Sequence, residues 1–154
     1  MLLEKNELYN CLVQFCKQQG FEMKEAEKSD HSASGVSYFA LKTREICFPS
    51  LNEVLNSETY RLHEVCHEIM HGVGVILNET EKNYAVEEFV TELATLKFIK
   101  DNLLLNPEDD VIYSIKVLAY LNVYSENIAN FDDKLLKKLK AKSEMRFEYL
   151  KENI

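Results

Sequence analysis

The chain carries 154 residues, 46% of them hydrophobic, with 18 Lys and Arg against 26 Asp and Glu. That length predicts one domain, 1–154, with a core of its own, and a formal net charge of −8 speaks against a DNA-binding surface driven by counterion release. Only 4 Gly and 2 Pro exclude collagen-like and low-complexity chains and argue for helix over a turn-rich β-sandwich.

Residues 2–19 place Leu2, Leu3, Leu8, Leu12, Phe15 and Cys16 at helical spacing, and Gly20 reads as a C-cap. The polar stretch 21–35 reads as a loop. Residues 36–41 and 45–48 are short strand-like runs joined by a tight hairpin at 42–44, and Pro49 ends the second because it has no N–H for a ladder. Asn56 and Ser57 offer an N-cap, with Glu58 adding a favourable charge, to a helix expected to stop near His71, where Gly72 and Gly74 follow. After a polar loop at 78–83, long helices are expected at 84–105, 108–129 and 132–151, with Pro107 in a first turn and a Lys-rich outer face on the last. The expected fold class is α+β, mostly helical, with a small antiparallel hairpin.

Cys11, Cys16, Cys47 and Cys66 show no CxxC spacing, Glu4, Lys5 and Glu7 interrupt any signal-peptide core, and no apolar run approaches a membrane span. The expectation is a cytoplasmic chain with no membrane partner, whose thiols behave as small buried hydrophobes.

Three of the four histidines fall within nine residues, as two overlapping HExxH motifs: His63-Glu64-x-x-His67 and His67-Glu68-x-x-His71. Residues four apart on a helix lie one above the other, so two imidazoles can reach one ion while the Glu between them acts as a general base. Neutral imidazoles suit Zn²⁺ at about 2.0–2.1 Å. His63 and His71, however, stand roughly 12 Å apart along a helix axis, so one ion takes one register only. A third protein ligand comes from the next helix, where Glu88 and Glu92 share a face: Glu88 to bind, Glu92 to hold a histidine's other nitrogen. Glu87 lies about 100° away and is expected in solvent.

The run Ile46-Cys47-Phe48-Pro49, Ser57-Glu58-Thr59-Tyr60, His63-Glu64-x-x-His67-x-x-x-His71 and Tyr84-Ala85-x-Glu87-Glu88-x-Val90-x-Glu92-Leu93 resembles the zincin-like metallopeptidase domain of ArdC-type antirestriction proteins and phage polyvalent proteins. A more distant resemblance is to peptidases of the ImmA/IrrE type. The resemblance implies a gluzincin-like site with Zn²⁺ on His63, His67 and Glu88, Glu64 as general base, and Glu92, His71 and Tyr84 supporting or lining it. It favours the first register over His67/Glu68/His71. About 35 residues precede the matching region, and Glu68-Ile69-Met70 replaces the family's Trp-Thr-Gly, so DNA binding and antirestriction activity are not implied.

The expected function is therefore a zinc metallopeptidase acting on a protein or peptide, with strand 45–48 pairing with an extended substrate. The alternative is a non-proteolytic zincin-fold binding or inhibitory protein from a phage or other mobile element, its acidity favouring basic partners.

Overall fold

The computed structural model describes residues 1–25, 37–48 and 58–154. Five helices, α1 (Lys5–Gln19), α2 (Glu58–Ile76), α3 (Tyr84–Asn102), α4 (Pro107–Glu126) and α5 (Asp133–Glu152), dominate it. Three short strands, β1 (Glu22–Glu25), β2 (Tyr38–Ala40) and β3 (Glu45–Phe48), form one sheet. The mostly helical α+β expectation holds at that level.

Local chemistry sets the boundaries. In α1, Leu8, Leu12, Phe15 and Cys16 fill one face, and Gly20 closes the helix at φ 71°, a left-handed cap that a Cβ would strain. Leu2 and Leu3 stay outside the helix; the Leu3 backbone instead pairs with the end of α3 through Leu103. Asn83, Asn106 and Asp132 cap α3, α4 and α5 by accepting from Val86, Asp109 and Leu135 amides. The N-cap expected at Asn56 and Ser57, and Pro49 as the end of β3, lie outside the described residues.

Two elements differ from the sequence reading. The stretch expected as loop contains β1, which pairs in parallel with β3, while β2 pairs with β3 antiparallel. The sheet is thus mixed, in the order β1-β3-β2, and β3 is bonded on both sides. It has no edge left for a substrate strand; the edges of the sheet are β1 and β2.

The second difference is α2, which passes through Gly72 and Gly74 and ends at Ile76. These glycines admit neighbours rather than break the helix. A Cβ on Gly72 would sit 2.7 Å from the Phe21 ring, and one on Gly74 would sit 2.7 Å from Cζ of Arg146. Both distances are far inside van der Waals contact, so the propensity cost of glycine is offset by close packing.

Helix α3 packs against α2, α4 and α5, and α2 also packs on the sheet. Phe89, Val90, Phe98 and Ile99 of α3 join Val65, Ile69 and Val73 of α2 in the core. Lys134, Lys137, Lys138 and Lys140 of α5 face solvent, as their pattern predicts. None of the four cysteines is in a disulfide, and Cys16, Cys47 and Cys66 are buried; burial pushes the Cys16 thiol up to about 12, so it behaves as an apolar side chain. Among the described residues no helix is long and apolar enough to cross a membrane.

Candidate metal centre

Helices α2 and α3 lie side by side and interleave histidines with carboxylates. Four apart on α2, His63, His67 and His71 form a row, with ring centroids 6.2 Å apart for the first pair and 4.9 Å for the second. On α3, Glu88 and Glu92 lie opposite that row, both buried at 9% and 3% exposure despite their charge. Burial of charge on this scale requires partners.

The partners divide into two groups, each able to hold a metal ion: His63, His67 and Glu92, and His67, His71 and Glu88. In the second, Nε2 of His67 and Nε2 of His71 each lie 3.2 Å from a Glu88 oxygen. Ligands at about 2.05 Å around a tetrahedral ion are about 3.3 Å from one another, so this spacing suits a metal. In the first group, Glu92 takes Nδ1 of His67 at 2.7 Å and lies 3.0 Å from Nε2 of His63. The 2.7 Å contact is the length of a charge-assisted hydrogen bond. The set expected from the resemblance, His63, His67 and Glu88, is not among the groups brought together.

Each outer nitrogen of the second group has its own support. Nδ1 of His67 bonds to Glu92, and Nδ1 of His71 to Glu87 at 3.0 Å. Glu87, expected in solvent, is instead gripped by Arg146 of α5 through two parallel bonds of 2.9 Å. Arg146 is fully buried; it also reaches Thr91 at 2.8 Å and forms an ion pair with Glu79. Sequence reasoning missed this arginine. The available signal was its position: it shares the core-facing stripe of α5 with Leu139, Ser143, Phe147 and Leu150.

The remaining candidates separate by environment. A cavity of about 630 Å³ is lined by Glu68, His71 and Val75 of α2, by Tyr84, Glu87 and Glu88 of α3, and by Tyr38 and Phe39 of β2. Tyr84, one of its lining residues, is largely exposed. His63, Glu64 and His67 do not line the cavity, although Ser37, the partner of Glu64, does. The Ser37 hydroxyl donates to Glu64, and His63 is buried with its Nδ1 2.7 Å from the Tyr113 hydroxyl. Burial lifts the Glu68 carboxyl above its ordinary range.

Comparison of the chain with known protein families, with characterised proteins and with solved structures returned no match.

Without metal, His67 and His71 pair as ions with Glu87, Glu88 and Glu92. Burial opposes charge on His67 and His71, but hydrogen bonds to Glu88, Glu92 and Glu87 outweigh it and raise both above the usual histidine range. Burial likewise opposes charge on Glu88, yet its bonds to His67 and His71 bring it down to about 2, and Glu87 and Glu92 are also lowered. The carboxylates' contribution is complete above their unfolded value of about 4.3 and fades as pH falls; the histidines' is complete below about 6.5 and fades as pH rises. Chelator-treated protein will therefore melt highest between about pH 4.5 and 6.5. Zinc, which replaces those protons, will raise the melting temperature more at pH 8 than at pH 5.5. Thermal melts across pH, with and without zinc, check this; a metal-free melting temperature still climbing from pH 6 to 8 contradicts it.

Proposed function

We propose that this chain is a zinc-dependent metallopeptidase of zincin-like, gluzincin type, with His67, His71 and Glu88 as metal ligands and Glu68 as general base. This is the second of the two HExxH registers, not the one the family resemblance favours. The observation that carries it is the division of labour between ring nitrogens. Both Nε2 atoms converge on Glu88, while both Nδ1 atoms are held by carboxylates, Glu92 and Glu87. Histidine ligands whose second nitrogen is fixed in this way are oriented and made more basic toward a metal.

The donor set, two imidazoles and a carboxylate, fits Zn²⁺ with a fourth position for water, and two of the three donors, His71 and Glu88, line the cavity. A bound zinc ion would supply Lewis-acid activation of water and of the scissile carbonyl. Glu68, on the cavity wall and with its carboxyl shifted upward, takes the proton from the attacking water and passes it to the leaving amine. The outer edge of β2 lies beside the same cavity through Tyr38 and Phe39 and offers backbone groups to an extended peptide. His63 is then a structural member, linking Tyr113 of α4 to Glu92.

Zinc stoichiometry tests the register. Untagged wild-type protein and His63→Gln will each bind one zinc per chain, whereas His71→Gln will retain less than about 0.1. The opposite pattern returns the site to His63 and His67. Failure of the wild type to bind removes the metal reading altogether.

A further inference from the structure

Helix α4 is apolar on two opposite faces. Tyr113, Val117 and Leu121 point into the core. On the far side Val111, Ile112, Ile115, Leu118 and Val123 stand between 48% and 63% exposed. At 100° per residue, the centre of this outer stripe lies diametrically opposite the buried one. A helix that is apolar all round is built to be buried all round; among the described residues α4 packs mainly on α3, with Tyr113 of its buried face reaching His63 of α2.

We propose that the outer face of α4 is a homodimer interface, occupied by the same face of a second copy of this chain. Three observations select that occupant. The first is area. The five side chains expose roughly 500 Å² per copy, hence roughly 1,000 Å² in a pair before any polar rim is added, which reaches the size of a specific interface.

The second is spacing. Val111, Ile115, Leu118 and Asn122 follow one another at intervals of four, three and four, the seam by which one helix meets another. Asn122 is the polar residue in that seam; its amide donates to Glu126 at 3.1 Å, and a single asparagine of this kind fixes register between paired helices. A two-fold axis sets such a stripe against itself without leaving an open end.

The third is charge. Lys116 is the one charged residue from Val111 to Ser125, so the contact avoids the repulsion that a net charge of −8 imposes elsewhere. Glu108 and Glu126 continue the same face beyond the two ends of the apolar stripe, with Asp109 beside Glu108. Packed helices cross at an angle, so these ends diverge, and their repulsion is screened beyond about 8 Å at physiological salt. Acidic groups at both ends also disfavour an anionic membrane surface as the occupant.

Sedimentation velocity of the full chain reads the outcome. The wild type will sediment as a species of twice 17.9 kDa at about 100 µM and below. Ile115→Glu/Leu118→Glu will sediment as a monomer with unchanged circular dichroism and zinc content. Should that variant fold poorly, Ile115→Ser/Leu118→Ser will weaken the dimer at least tenfold. A wild type that is monomeric throughout, or a dimer that survives both pairs of substitutions, overturns the proposal. Recovery of the wild-type monomer on liposomes assigns the face to a membrane and overturns it equally.

Discussion

Glu68→Gln will retain zinc and lose about 10²–10⁴-fold in peptide cleavage, the range that a positioned general base contributes, whereas Glu64→Gln will stay within a few-fold of wild type. Both substitutions are isosteric and sit four residues apart on α2, so the comparison isolates which carboxylate faces the reacting water. Glu68 is 5% exposed and lies on the wall of the cavity that also holds His71 and Glu88. Glu64 accepts from the hydroxyl of Ser37, a cavity residue, but does not itself line the cavity. Cleavage is read on a random-sequence fluorogenic peptide mixture, with zinc measured on the same samples. If Glu64→Gln is the inactive variant, the resemblance chose the right register. If both variants cleave like wild type, a zinc peptidase mechanism of this kind is wrong.

Much of this centre is legible in one dimension, and the illegible part has a specific cause. Spacing alone puts His63, His67 and His71 in a row and Glu88 and Glu92 on a facing stripe, because both patterns are local to a helix. The register is not local. Two overlapping HExxH motifs read alike until the rotation of α3 against α2 decides which nitrogen of His67 meets which carboxylate. The glycines fail for a similar reason: sequence records the helix cost of Gly72 and Gly74 but not Phe21 and Arg146, the neighbours that require them. Strand β1 was hidden because Glu22–Glu25 is largely exposed and its partner β3 is parallel, so no alternation or turn announces the pairing. Arg146 was hidden by its company, one arginine among the lysines of α5.

That arginine carries the largest expected stability effect. Arg146→Met will destabilise the fold by about 3–5 kcal/mol, the cost of breaking a buried ion pair from one side. At roughly 2–4 °C per kcal/mol for a chain of this size, the melting temperature will fall by about 6–20 °C. Methionine fills the stem's volume, so the loss is electrostatic rather than a cavity. It leaves the Glu87 and Glu79 carboxylates inside the protein, one without its two-pronged partner and the other without its ion pair. Arg146→Lys will recover only part of the loss, since an ammonium cannot reproduce the planar fork against Glu87. Arg146→Met/Glu87→Gln will be more stable than Arg146→Met alone, because the stranded charge is gone. The same substitutions reach the metal centre, because Glu87 is what holds Nδ1 of His71. Zinc affinity of Arg146→Met will therefore drop about 10–100-fold, the usual effect of losing the support behind a ligand. Denaturant titration and zinc competition on the three variants separate these terms. An Arg146→Met protein that melts within about 2 °C of wild type would show that α5 packs against the site without holding it.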